Sequence, residues 1–481
     1  MRRPRAKFIH RVILPVAMIL PLGAVAQTPL PNQTGGKSIP RKLTLAQAEQ
    51  LLLQRNLAVL AAKYQVDAFR VARLIASFKP NPLLMLGMEQ IVFYSPLKGS
   101  FPRFFTTDGD AGAQPTYTFR LDKIVERGGK RELRTELADY QIEANEAQML
   151  DAARTQLFQL RQAFTTAELA RENLLLAEAT RQEYDQTIKL TEAKVENGDL
   201  ARVELYRAQV ASLQYQQAAQ QARVIYQQAT RDILNLLGAR AEDVSLAQPA
   251  VDDTQVRIVN ASFIAGNTGA SAIDPDRNDL LKDEPLEIDF KFDDRPISQT
   301  LDEARRIALA ERPDVIAARR LYDASAKGVA LARAQRARDI LIGAFYQRVG
   351  SDETLGINVA FPLRVYNKGY AAISQAAAQK ETAISLARQA ELQALTDVEK
   401  AYLAYQSARR VLDIYNSSTI ERAGKLRTIA VFSYQEGATS LVELLDAQRS
   451  YNQTISSYNQ ARADYQTALW QLEQAVGRPL K

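Results

Sequence analysis

Glu196-Asn-Gly-Asp-Leu-Ala-Arg-Val-Glu-Leu-Tyr-Arg-Ala-Gln209 and Glu436-Gly-Ala-Thr-Ser-Leu-Val-Glu-Leu-Leu-Asp-Ala-Gln448 are one stretch written twice. Aligned on Gly198 and Gly437, Val203 meets Val442, Glu204 meets Glu443, Leu205 meets Leu444 and Ala208-Gln209 meets Ala447-Gln448. Each copy separates two long helical patterns. A single glycine there supplies a left-handed cap, so that one helix stops and an antiparallel partner begins. A repeat at such long period reports architecture.

The duplication extends outward. Thr44 matches Thr300, Ala48 matches Ala304 and Val59 matches Val315 at a second constant interval. Thr44 and Thr300 are N-cap candidates for an opening helix, which in the first half runs through Leu57 to Ile75 and Phe78 before Pro80 and Pro82 stop it. A strand pair follows each opening helix. Leu355, Ile357, Val359, Phe361 and Leu363 alternate with smaller or polar residues, as do Tyr117, Phe119 and Leu121. Their partners, 83–94 and 340–349, are apolar without clean alternation. The first half carries an insertion between its strands, 95–115, where the second has a tight turn at Gly350.

Each pair then runs into a very long helix, about 129–196 and 369–435, each about 100 Å at 1.5 Å per residue. Gly128, Gly129 and Gly369 provide the bend at these strand–helix junctions. Leu150, Leu157, Leu160, Phe164, Ala167 and Leu174 in the first half, and Leu395, Val398, Tyr402, Tyr405 and Leu412 in the second, form a coiled-coil seam.

Residues 1–26 read as a secretory signal: Arg2, Arg3, Arg5, Lys7 and Arg11 precede a short apolar run and Ala24-Val25-Ala26. That run is too short to span a bilayer. Removing it lowers the formal charge from +6 to about +1 and takes away His10, the single histidine. The chain has no cysteine, so imidazole or thiolate metal sites, disulfides and nucleophilic catalysis with a histidine base are excluded. The expectations are no enzyme, no cofactor, no metal site and no nucleic-acid partner. A flexible leader (27–41), a first repeat (42–238), an acidic, turn-rich connecting segment (239–299) and a second repeat (300–481) complete the division.

Four short amphipathic strands in an exported chain without an apolar helix pose a problem. Strands cross a bilayer only as a closed barrel. Four cannot enclose a pore, so several copies must share one barrel, with the helices extending beyond the membrane as a tube. These residues resemble the TolC-like outer-membrane efflux channels: the twofold helix–strand–strand–helix–tip–helix order and the two Gly-x-x-x-x-x-Glu tips carry the likeness, over nearly all of the mature chain. It implies a mainly α fold with a transmembrane β part, a homotrimer with a twelve-stranded barrel in the outer-membrane lipid, and a helical tunnel in the periplasm. It further implies that the tips dock on a periplasmic adaptor of an inner-membrane pump of the RND (resistance–nodulation–division) type. The adaptor contact then falls on Gly198, Glu204, Tyr434, Gly437 and Thr439. Glu443 and Asp446, three residues apart on one helix face, then point into the closing aperture. Glu126-Arg-Gly-Gly-Lys-Arg-Glu-Leu-Arg134 and Phe361-Pro-Leu-Arg-Val-Tyr-Asn-Lys-Gly369 look like the heavy-metal cation subgroup. Two other readings remain open on the sequence: a structural periplasmic coiled coil without a pore, and a periplasmic adaptor.

Overall fold

The computed structural model describes residues 39–89, 115–245, 286–293, 295–350, 352–415 and 417–480. The signal segment, nearly all of the leader, the 95–115 insertion (but for Pro115) and the middle of the connecting segment lie outside them.

The two halves repeat one plan. Thr44 accepts from the Gln47 amide and opens α1 (Leu45–Arg55); Thr300 accepts from the Glu303 amide and opens α5 (Leu301–Glu311). Both are capping boxes, which satisfy otherwise orphaned amides at each helix start. The single opening helix expected in each half is in fact two. Asn56 turns the chain into α2 (Leu57–Ser77), and Arg312 turns it into α6 (Pro313–Ala334), with nearly the same backbone angles (φ −60°, ψ 125° and φ −65°, ψ 124°). These corners had no obvious sequence mark beyond Pro313, which suits the first helical position.

The strands are β3 (Leu83–Glu89), β4 (Thr116–Val125), β7 (Ile340–Val349) and β8 (Asp352–Ala360). They form one antiparallel sheet in the order β3-β4-β7-β8, with Val125 opposite Ile340 at one end of the central pairing and Thr116 opposite Val349 at the other. β8 starts at Asp352 and stops before Pro362, which has no amide to donate. Gly356 leaves the space that the Phe345 ring occupies across the strand pair, which explains the small residues on that face. All four strands meet the helices at the same end of the sheet.

The long helix of the first half, α3 (Lys130–Glu196), is unbroken over 67 residues. Its counterpart is not: α7 (Tyr370–Ile414) ends where Tyr415 leaves the helical region (φ −87°, ψ 57°), and α8 (Ser417–Gln435) follows. The return helices are α4 (Arg202–Leu236) and α9 (Leu441–Val476). α3 is the spine, touching α2, α4, α6 and α9. Leu160, Phe164, Ala167 and Leu174 are buried there, as expected of the seam, whereas Leu150 of the same pattern is exposed. Acids on α3 reach alternately to its two flanks: Glu136 to Lys327 and Glu143 to Arg320 on α6, Asp139 to Arg73 and Glu146 to Arg70 on α2.

The end of the leader is structured. β1 (Ile39–Pro40) pairs in parallel with β5 (Val244–Ser245), and β2 (Lys42–Thr44) with β6 (Glu287–Asp289). Ile39, Leu43, Leu286 and Ile288 join one core with α1, α3 and α4. Leu286 and Ile288 of the connecting segment therefore help to seal the midsection. Arg161 on α3 binds it further: its guanidinium donates to Glu49 (2.6 Å) and Glu473 (2.8 Å) and lies over the Trp470 ring.

Candidate functional site

Both hairpin tips are built by the same backbone device. At the first, the Asp199 amide donates to the Lys194 carbonyl and the Gly198 amide to that of Val195; at the second, Ala438 donates to Ser433 and Gly437 to Tyr434. This six-to-one and five-to-two pairing needs a left-handed residue just past the helix. Gly198 (φ +84°) and Gly437 (φ +75°) provide it, with open space beyond each Cα. Ser440 then caps α9 by accepting from the Glu443 amide.

The tips differ in charge. Glu204 is paired with Arg207 at 2.8 Å. Glu443 and Asp446, the corresponding acids of the second tip, are exposed on one face of α9 and carry no ion pair among the described residues, while Leu441, Leu444 and Ala447 on the other face are buried. Arg207 occupies the position equivalent to Asp446, so this pair of positions is neutral at the first tip and doubly negative at the second.

Tyr434 and Thr439, placed by sequence among exposed contact residues, are not on the surface. Tyr434 is 3% exposed and Thr439 is half-buried. The Tyr434 hydroxyl shares a 2.7 Å hydrogen bond with Thr191 on α3. Lys194, one turn on, donates to the carbonyls of Tyr434 (2.7 Å) and Gln435 (2.9 Å) and sits over the Tyr434 ring. A cation on the last carbonyls of α8 also suits the negative end of that helix. Farther from the tip, Arg427 donates to both oxygens of Glu183 (2.9 and 3.0 Å), and Gln448 donates to the same carboxylate. Thr191, Lys194, Glu183 and Arg427 thus clamp the second hairpin onto the first. Sequence reading missed all four, because the partners lie some 240 positions apart and no local pattern marks them.

At the other end of the long helices, Gly128 and Gly369 sit in the left-handed region (φ +80° and +77°). A Cβ on Gly128 would stand 2.7 Å from that of Ala337, so only glycine admits the turn there. Asp339 accepts from the Lys130 ammonium (2.7 Å) and the Arg127 amide (3.1 Å), and Glu126 holds Arg134 through both oxygens. Gly129 (φ +66°) is the residue before α3. These contacts tie the β4–α3 junction to the α6–β7 junction. No helix of the described residues is long and apolar enough to cross a membrane, and no cluster of three metal-binding side chains is present among them.

Residues 304–478, nearly all of the second half, match the family model described as outer membrane efflux protein. This match makes the second half of the chain similar to the outer membrane efflux proteins. The alkaline protease secretion protein AprF of Pseudomonas aeruginosa is 24% identical over 313 residues, 65% of this chain and 59% of AprF. The alignment thus spans about three fifths of that relative's length. Among solved structures, a membrane protein from Pseudomonas aeruginosa superposes with a TM-score of 0.66 at 18% identity, over 90% of both chains. The outer-membrane channel OprN gives a TM-score of 0.66 at 18% identity, over 92% of this chain and 95% of OprN. The fold of these solved structures therefore extends over both halves of this chain.

Proposed function

We propose that this chain is an outer-membrane efflux protein, the exit duct of a tripartite efflux system, spanning the outer membrane and passing substrate from an inner-membrane pump and periplasmic adaptor to the exterior. The observation that carries the reading is that one protomer is unfinished along two different flanks. β3 and β8 are open sheet edges. α4 packs Ala208, Ser212 and Ala219 towards α3, while Val203, Tyr206, Val210 and Leu213 form an exposed apolar stripe on its opposite face. On the other flank, Leu426, Ile429 and Phe432 of α8 are exposed. Apolar stripes of this kind on a surface mark an interface. Because the two flanks differ, copies would join head to tail, and such a contact makes a ring where its rotation closes.

Three copies of a four-stranded sheet give a twelve-stranded barrel, which abolishes every open edge and is wide enough for a channel. Leu355, Ile357 and Val359 of β8, with Phe119 and Leu121 of β4, give the sheet an apolar outer face suited to lipid. A pore-less coiled coil would need neither these open edges nor this face. Mass measurement in mild detergent is expected to give three copies that conduct in a planar bilayer; a monodisperse monomer that still conducts overturns the reading.

The tips are proposed as the adaptor contact, with Gly198, Glu204 and Gly437 at the surface and Tyr434 and Thr439 acting from beneath. Glu443 and Asp446 are proposed as the aperture residues: three copies would place six carboxylates around a narrow mouth. The unpaired acids would favour cations there. An RND-type pump and a heavy-metal cargo fit this charge and the junction motifs.

A further inference from the structure

We infer that the helix-side rim of the sheet is a binding surface for anionic phospholipid headgroups, an anchor to the periplasmic leaflet of the bilayer that the barrel crosses. The inference rests on the membrane-spanning reading above.

The rim carries a charge that the protein does not balance. Its acids are all claimed: Glu126 by Arg134, Asp339 by Lys130 and Glu132 by Arg131. Lys79, Lys123, Arg127, Arg338 and Lys368 stand at the same level, where the strands meet the helices, and none has an acidic partner within ion-pair distance among the described residues. Five cations per protomer are thus left facing solvent at one height. A cationic belt at the edge of an apolar band is what a negative leaflet attracts.

An apolar element projects from the same rim. β8 presents Leu355, Ile357 and Val359 on its outer face, and the connection to α7 continues with exposed Phe361, Leu363 and Val365 beyond the last strand residue. Tyr366 is 100% exposed. The loop is held from behind: Arg364 donates to the Gln335 carbonyl, the Asn367 carboxamide accepts from the Gly369 amide, and the Arg336 guanidinium lies 4.7 Å from the Tyr370 ring centre. A braced loop with apolar side chains outward, a wholly exposed tyrosine at its tip and unpaired cations beside it has the composition of an interfacial anchor. The partner that satisfies both parts is a lipid surface: acyl chains take the apolar side chains and phosphates take the cations. A neighbouring copy would cover the apolar residues but leaves the uniform charge unexplained.

The test uses the full-length channel purified in mild detergent. Phosphatidylglycerol and phosphatidylcholine are titrated in parallel, and the lipid retained by the intact assembly is read by native mass spectrometry. Several-fold preference for phosphatidylglycerol is expected, lost in 0.5 M salt and lost in a Lys123→Gln, Arg127→Gln, Arg338→Gln, Lys368→Gln variant. Equal retention of both lipids, or an unchanged preference in the variant, overturns the inference. A second readout places a tryptophan at the loop tip. In Tyr366→Trp, with Trp470→Phe removing the single native tryptophan, fluorescence in reconstituted vesicles should be quenched by brominated phospholipid. No quenching would mean the tip is covered by a second copy or faces water, and overturns the anchor. Bilayer conductance is measured on the same preparations. A protein that inserts and conducts without lipid preference sinks only this inference, whereas one that neither inserts nor conducts sinks the channel reading with it.

Discussion

Lys194 satisfies carbonyls at the end of a helix that begins more than two hundred residues later, so a single ammonium decides whether the second tip stays seated against the first. Replacing it with methionine keeps the packing stem and removes the donors. Together with Thr191→Val, which leaves the buried Tyr434 hydroxyl without its partner, it should loosen the second hairpin, at about 1–3 kcal/mol for each stranded polar group. The expected result is higher bilayer conductance with unchanged helicity; unchanged conductance would mean the clamp does not restrain the opening. Glu443→Ala with Asp446→Ala should instead abolish cation preference and block by multivalent cations added from the tip side, and an intact preference would leave these acids as surface charge only. Gly198→Trp and Gly437→Trp force a side chain into the left-handed region at a cost of about 1–2 kcal/mol, too local to disturb the distant sheet. Such variants should assemble and insert but lose export. At the midsection, burial pushes the Glu473 carboxyl above its ordinary value of 4.5, an effect that the Leu480 amide and Arg161 do not cancel. Its proton is held more tightly in the folded chain, so this contribution is fully present below pH 4.5 and is lost as pH rises through the raised value. The thermal midpoint of the parent should therefore fall relative to that of Glu473→Gln across this window. A constant difference between the two would show that Glu473 titrates normally.

Among the elements, those with local causes were legible and those with distant causes were not. The threonine caps, the Gly198 and Gly437 turns, three of the strands and the heptad stripe on α3 follow from residues that are neighbours in sequence. The corners at Asn56 and Arg312 do not. The Asn56 side-chain carboxamide donates to the Leu236 carbonyl and the Arg312 guanidinium to that of Ala475, so each corner is fixed by the end of the last helix in its own half. The break at Tyr415 was invisible for the same reason, since the residues around it keep a helical pattern. Of the candidate site, the glycines and exposed acids could be read, because a left-handed cap and a charge on an apolar helix leave local marks. The buried position of Tyr434 could not, since it depends on Thr191 across the interface between halves. Asn56→Ala tests the corner: it removes a cap and the bond to Leu236, and should lower the stability of the first half by about 1–2 kcal/mol.

For the molecule as a whole, the open flanks make a separable prediction. Val210→Asp with Leu213→Asp places charges on the exposed α4 face opposite α3. The trimer fraction in detergent should fall sharply while the helical content of the protomer persists. If trimers form as before, the stripe lies outside the subunit contact.

The central pairing of the sheet joins β4 to β7, strands from opposite halves of the chain. In the exported channel proposed above, the amino-terminal half crosses the inner membrane first, so the β3–β4 hairpin has one edge bare until residues 340–349 arrive. Contacts so distant in sequence close slowly, and a bare strand edge recruits other chains in the interval. The newborn protein is therefore most open to aggregation while β4 waits for its partner strand. A chain ending before the second half would be a template for aggregation, because the strand that completes it would never come.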